Sequence, residues 1–119
     1  ALVFYNSFNK EGWLEDIPKN IRSNIEVIFG DVRDKEFLTN ITKGVDIIFH
    51  LAALISIPYS YNAPRSFLET NTAGTLNILE AARVSNCKKI LRCLGIMNPE
   101  HSLPLARQGL QVLHRREPV

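Results

Sequence analysis

Val45-Asp46-Ile47-Ile48-Phe49 is a short and almost continuously apolar run, followed at once by His50 and soon after by the small pair Ala52-Ala53. Such a run predicts a strand covered on both faces, as in parallel sheets. Just before it, Asp34 can cap a short helix and Gly44 can end that helix. The segment therefore predicts a helix that leads into a buried strand, which is a unit of parallel α/β sheets.

Working outward, the same alternation extends over most of the 119 residues, enough for one domain. Apolar runs predict parallel strands near residues 1–5, 25–29, 45–50 and 88–92. Residues 51–62 are predicted to form a loop that contains Pro58. The longest helix is predicted near residues 64–85, because five residues recur there at steps of four and three, namely Phe67, Asn71, Gly74, Ile78 and Ala81. The predicted fold class is α/β, with a Rossmann-like parallel sheet.

The pattern weakens after residue 92. We therefore assign residues 1–92 to a partial Rossmann-like domain and residues 93–119 to an atypical C-terminal tail. Residues 105–116 are compatible with a short basic amphipathic helix and equally with a poorly ordered tail. On this interpretation the tail packs loosely, contains no part of a site, and its deletion changes stability little.

Composition excludes several classes of function. Hydrophobic residues make up 45% of the chain, which supports a core, and the net charge of +2 is too small to indicate nucleic-acid binding. There is no run of 18 apolar residues, so we expect no membrane span. Cys87 and Cys93 make no disulfide framework and indicate a reducing, cytoplasmic location. The three histidines show no ligand spacing, so we infer no metal.

Three segments carry a resemblance to a known family, namely Gly30-Asp31-Val32-Arg33-Asp34, Phe49-His50-Leu51-Ala52-Ala53 and Asn71-Thr72-Ala73-Gly74-Thr75-Leu76-Asn77. In this order the sequence resembles the extended short-chain dehydrogenase/reductase family, the NAD-dependent epimerases and dehydratases. The opening Ala1 to Asn9, with Gly12-Trp13-Leu14 behind it, is similar to 4,6-dehydratases of UDP-N-acetylglucosamine-like sugars. The resemblance implies a nucleotide-sugar substrate, NAD and a homodimer.

The resemblance also implies a cofactor site. Ligands of open parallel sheets lie outside the carboxyl ends of the strands, where Asp31, Ala52 and Ala53 are predicted to fall. In the family the acid at Asp31 accepts a hydrogen bond from the adenine amino group and Val32 offers its backbone to the ring. A turn-forming role of Asp31 after glycine stays open, as does close helix packing for the two alanines. The cofactor-binding residues that we predict are Asn6, Asn9, Asp31, Val32, Leu51, Ala52, Ala53 and Asn71.

Three further side chains near the predicted site need their own interpretation. Asn71 lies on the apolar face of the long helix and must find partners, either in the neighbouring loop backbone or beside the cofactor. His50 is interpreted as a packed, hydrogen-bonded residue rather than a catalyst. The ribose-binding acid of dinucleotide folds would fall at Tyr5, which has no carboxylate, so NADP is not excluded and Lys10 could favour its phosphate.

Several parts that the family requires are missing from the sequence. There is no glycine-rich Gly-x-Gly-x-x-Gly loop, and no Tyr-x-x-x-Lys, since Asn9, Ala63 and Arg65 stand four residues after the three tyrosines. We therefore predict no catalytic residue, expect this sequence to be a piece of a longer protein without its first strand, and expect the chain alone to be inactive.

Three hypotheses remain. The leading one is part of a nucleotide-sugar 4,6-dehydratase or epimerase that contributes the adenine-side and ribose-side cofactor contacts. The second is a non-catalytic Rossmann-like protein that binds a dinucleotide or a partner. The third is another reductase of the same extended family, which would share Ala52-Ala53 but would not predict the Asn6-Ser7-Phe8-Asn9 loop.

Overall fold

The computed structural model describes residues 1–92 and 111–115, the latter through their backbone pairing. The strands are β1 (Leu2–Phe4), β2 (Ile28–Gly30), β3 (Val45–His50), β4 (Lys89–Arg92) and β5 (Gln111–Arg115). The α-helices are α1 (Lys19–Arg22), α2 (Lys35–Ile41), α3 (Ile57–Asn62), α4 (Pro64–Phe67) and α5 (Gly74–Val84). A 3-10 helix spans Gly12–Asp16, and a π-helical segment, Leu68–Ala73, joins α4 to α5.

The described strands form one sheet in the order β2-β1-β5-β3-β4. β1 pairs parallel to β2, and β3 pairs parallel to β4. Because β5 is antiparallel to both β1 and β3, the four predicted strands all point the same way. Their carboxyl ends therefore share one edge of the sheet, and the predicted Rossmann-like α/β class is confirmed.

Neither alternative left open for residues 105–116, a short helix or a poorly ordered tail, holds for residues 111–115, which form β5. This strand pairs along the whole of β3, from Gln111 opposite His50 to Arg115 opposite Val45. In a complete Rossmann sheet, the strand that comes first along the chain lies at the centre, between two strands that correspond to β1 and β3 of this chain. Here β5 fills that place in the opposite direction, because the facing edges of β1 and β3 need hydrogen-bond partners. The rest of the predicted tail lies outside the described residues.

The long helix predicted near residues 64–85 is confirmed as a continuous run through α4, the π segment and α5. The predicted loop at residues 51–62 is wrong at its end, since Ile57–Asn62 form α3. Pro58 stands in the first turn of α3, where the missing N–H of proline costs nothing. In the part of the chain that the structure describes, no helix is long and apolar enough to cross a membrane.

The core lies on both faces of the sheet. Successive residues of a strand point to opposite faces, and Leu2 packs in one cluster while Val3 packs in the other. The larger cluster includes Leu38 of α2, Ile48 of β3 and Ile78 of α5, all fully buried. It holds α2 and α5 side by side on the sheet, with the first turn of α5 close to the strand ends.

Candidate functional site

A cavity of about 520 Å³ opens where the loops after β2 and β3 meet the end of β1. Its volume falls within the usual range of small-molecule sites. The loop after β2 contributes Asp31, Val32 and Arg33, and the loop after β3 contributes Ala52, Ala53 and Leu54; we call these the β2 loop and the β3 loop. Residues of β1, Asn6, Lys10 and Tyr59 also line the cavity.

Asp31 forms a close ion pair with Arg33 on the β2 loop. Its carboxylate accepts from the backbone N–H of Arg33 at 2.9 Å and from the guanidinium Nε at 2.9 Å. Partial burial works to raise the pKa of Asp31, but the hydrogen bonds and charge of Arg33 outweigh it, so this pKa lies below its ordinary value. A carboxylate at the cavity wall is thus held ionised and acceptor-only at neutral pH.

Asn71 fixes the β3 loop from behind the cavity wall. Its side-chain Oδ1 accepts from the Leu54 N–H at 2.8 Å, and its Nδ2 donates to the Leu54 carbonyl at 2.9 Å. One side-chain amide therefore satisfies both the backbone N–H and the backbone C=O of Leu54. Asn71 stands within the π-helical segment, an irregularity that is frequent at functional sites.

The first turns of α5 hold the β2 loop in the same manner. Asn77 donates through Nδ2 to the carbonyls of Val32 at 3.1 Å and Arg33 at 3.0 Å. Between the two amides, a Cβ added at Gly74 would lie 2.8 Å from the Cγ2 atom of Val32. The glycine therefore permits the close contact of helix and loop, and α5 with its π segment positions both loops.

His50 and Thr75 form a buried polar pair next to this junction. His50 ends β3 and is 2% exposed, and its Nε2 lies 2.9 Å from the Thr75 hydroxyl. Burial, and then the charge of Arg92, lower the pKa of His50 to about 4. The imidazole is therefore neutral at physiological pH.

Asn6 organises its own loop. Its Oδ1 accepts from the N–H of Phe8 at 3.2 Å and of Lys10 at 3.0 Å, and its Nδ2 donates to the Lys10 carbonyl at 2.8 Å. Asn9 adopts a φ of 51°, the left-handed conformation that asparagine tolerates in turns. The Asn6 amide thus shapes the rim of the cavity mainly through its backbone contacts.

The structure brings five of the predicted site residues to the cavity, namely Asn6, Asp31, Val32, Ala52 and Ala53. Among the described lining residues Asn9, Leu51 and Asn71 do not appear. Three residues that shape the site were not identified from the sequence, namely Arg33, Asn77 and Thr75. Asn77 carried a usable signal, since it stands three residues after Gly74 and so on the same side of the helix.

Four strands that run the same way, with the antiparallel β5 between them and a cavity at their carboxyl edge, define an open α/β architecture of the Rossmann-like class. A family model described as GDP-mannose 4,6 dehydratase matches residues 2–96. The UDP-glucose 4-epimerase of Pisum sativum is 32% identical over 79 residues, which are 65% of this chain and 23% of that protein. The UDP-N-acetylglucosamine 4,6-dehydratase (inverting) of Campylobacter jejuni is 36% identical over 80 residues, 67% of this chain and 23% of that protein.

Among solved structures, the X-ray structure of Pen from Bacillus thuringiensis superposes with a TM-score of 0.66 at 27% identity, over 76% of this chain and 28% of that one. The chain spans about a quarter of the length of these relatives. It belongs to the nucleotide-sugar epimerase/dehydratase family, whose members generally depend on NAD(P).

Proposed function

We propose that this chain supplies the adenosine side of the NAD site of a nucleotide-sugar 4,6-dehydratase or epimerase. The observation that carries the proposal is the convergence of Asp31, Val32, Ala52 and Ala53 on one cavity at the carboxyl edge of the sheet. The activity of the whole protein on a nucleotide sugar, its homodimeric state and its cytoplasmic location belong to the same proposal.

The residues that line the cavity fit an adenine ring. Asp31 offers carboxylate oxygens that can accept from an exocyclic amino group, and the cavity walls are small or apolar at Ala52, Ala53 and Val3. To bind adenine, Asp31 must release part of its pairing with Arg33. The Arg33 side chain is 43% exposed, so water can solvate its guanidinium when it turns away from Asp31.

We propose NAD rather than NADP as the cofactor. Lys10 follows β1 and lines the cavity, but its Nζ lies 3.6 Å from a carboxylate oxygen of Glu15, which offsets its charge. A 2′-phosphate would have to compete with Glu15 for Lys10. On this account ADP binds at least as tightly as 2′,5′-ADP, and a clear preference for 2′,5′-ADP would favour NADP.

The test is a titration of the 119-residue chain with AMP, IMP and NAD. We expect AMP to bind more tightly than IMP, which lacks the amino group, and Asp31→Ala to weaken AMP binding by about tenfold, the value of a charged hydrogen bond. NAD should bind no more tightly than AMP, because the sequence has no glycine-rich loop for the pyrophosphate.

Asp16→Ala is the matched control, since Asp16 is an exposed carboxylate away from the cavity lining. Equal affinity for AMP and IMP, or an equal loss in the two alanine variants, would contradict the proposed role of Asp31. Each variant is first checked for a thermal transition like that of the parent chain.

A further inference from the structure

A chain of polar contacts, buried at His50 and Thr75 and partly buried at Asn71 and Leu54, connects the end of β3 to the cavity wall. His50 Nε2 lies 2.9 Å from Thr75 Oγ1, and the Thr75 hydroxyl donates to the backbone carbonyl of Asn71 at 2.7 Å. The side-chain amide of Asn71 in turn bonds both the backbone N–H and the backbone C=O of Leu54. His50 and Thr75 are 2% and 9% exposed, so water does not readily replace these bonds.

The chemistry of these groups fixes the tautomer of His50. A threonine hydroxyl has one hydrogen, and the 2.7 Å contact assigns it to the Asn71 carbonyl, which can only accept. The Thr75 oxygen must then accept from His50, so Nε2 carries a hydrogen. An unprotonated Nε2 at 2.9 Å would instead place two acceptors against each other.

We propose that His50, as the Nε2–H tautomer, is a positioning residue that acts through Thr75 and Asn71 to hold Leu54 on the wall of the cavity. The inference deepens the proposed function and rests on it for the identity of the ligand, whereas the contacts themselves do not. His50 is not a catalytic residue in this account, because Thr75 and Asn71 stand between its Nε2 and the cavity.

The geometry makes the role specific to one nitrogen. Glutamine places its Nε2 donor close to the position of the imidazole Nε2, whereas asparagine places its amide where the imidazole Nδ1 stands. His50→Gln should therefore keep the contact with Thr75, and His50→Asn should lose it. In the same way Thr75→Ser keeps the hydroxyl, and Thr75→Val removes it at nearly constant volume.

The experiment is nitrogen-15 NMR of the 119-residue chain and these four variants. In the parent chain, the imidazole nitrogens should report hydrogen on Nε2. Hydrogen exchange of the Leu54 amide should be about tenfold faster in His50→Asn and Thr75→Val, the cost of one lost hydrogen bond. It should be near the parent rate in His50→Gln and Thr75→Ser.

A spectrum of the parent chain that shows hydrogen on Nδ1 alone would overturn the proposal. This measurement does not depend on whether any variant folds. Unchanged Leu54 exchange in Thr75→Val would overturn it as well. The proposal would also be overturned if hydrogen exchange became faster by the same factor at Leu54 and at the sheet amides, because that pattern reports a general loss of stability. An AMP titration separates the proposed function from the proposed role of His50. Failure of AMP to bind the parent chain would count against the proposed function. The exchange rate of the Leu54 amide would still decide the role of His50.

Discussion

At the scale of single residues, the polar side chains near the cavity mostly hold backbone in place. Asn71 bonds the backbone N–H and C=O of Leu54, and Asn77 donates to the carbonyls of Val32 and Arg33. Each bond to a buried group is worth about 1 kcal/mol net, and more is lost if a partner is left unsatisfied. The walls of the cavity are therefore stabilised from the helix behind them, and Asp31 is left as the charged acceptor on its surface.

His50 should give the chain a measurable pH dependence of stability. Its folded pKa of about 4 lies below the ordinary value of 6.5. Above pH 6.5 both folded and unfolded forms are neutral at this residue, and between about 6.5 and 4 only the unfolded form gains a proton. The free energy of unfolding should thus fall as pH decreases through this window, by up to about 3 kcal/mol.

Denaturant unfolding of the parent chain and of His50→Gln over this pH range measures the effect. Subtracting the two curves removes the contribution of the carboxylates. We expect the parent chain to lose more stability than His50→Gln between pH 6.5 and 4. Parallel curves would show that His50 does not titrate differently in the folded and unfolded states.

At the scale of elements, the contact between α5 and the β2 loop determines how wide the cavity is. Gly74 lies against Val32, which is 7% exposed, so the side chain of this loop residue packs directly on the helix backbone. The π-helical segment before Gly74 provides Asn71 at the right place to reach the other loop. One continuous helix therefore sets the spacing of both cavity walls.

Gly74→Ala should destabilise the chain, although alanine is the better helix former by about 1 kcal/mol. The new Cβ would lie 2.8 Å from Val32 Cγ2 and 3.3 Å from Val32 Cβ, and a buried valine cannot move aside freely. Overpacking of this kind costs about 1–3 kcal/mol. In the double variant with Val32→Ala, the clash is removed.

A double-mutant cycle of unfolding free energies checks this contact. The double variant should be more stable than the sum of the two single effects predicts, by about 1 kcal/mol or more. Strict additivity of the two substitutions would mean that helix and loop are not in the contact described.

At the scale of the whole molecule, β5 completes the sheet. Without it β1 and β3 would present two unpaired edges at the centre of the sheet, which favours association. From this pairing we now expect β5 to contribute to stability, whereas the sequence led us to expect that deletion of residues 93–119 changes stability little. Because β5 is antiparallel to its neighbours, its carboxyl end lies at the edge of the sheet away from the cavity.

Proline substitutions in β5 test its contribution through the backbone alone. N–H groups of successive strand residues point to opposite sides, so one of Val112 and Leu113 donates toward β3. Val112→Pro and Leu113→Pro are compared with alanine at the same positions. At least one proline variant should lose about 1–3 kcal/mol more than its alanine control. If both proline variants match their alanine controls in thermal and denaturant unfolding, β5 does not stabilise the sheet.

The sequence predicted the parts of the fold that depend on local apolar pattern. Four apolar runs, near residues 1–5, 25–29, 45–50 and 88–92, predicted the four parallel strands, and the residue spacing predicted the long helix. β5 was missed because its pairing is with strands far away in sequence, and tertiary pairing outweighs the weak helical pattern of residues 105–116. Arg92, whose burial inside the sheet would have been costly, lies exposed at the end of β4.

The candidate site was predictable where a residue follows a strand. Asp31, Ala52 and Ala53 were placed by that rule, and their convergence follows from the parallel sheet. The roles of Asn77 and Thr75 depend on how far a side chain reaches from a particular helical turn. The π-helical segment changes that reach and has no simple signature in the sequence.

The most direct measurement of the central claim is the location of bound AMP on the 119-residue chain by amide chemical-shift changes during titration. The account predicts saturable changes concentrated at residues 31–33 and 52–54, the two loops that line the cavity, and their loss in Asp31→Ala. Saturable changes confined to other parts of the chain, or the same changes in Asp31→Ala as in the parent, would contradict it.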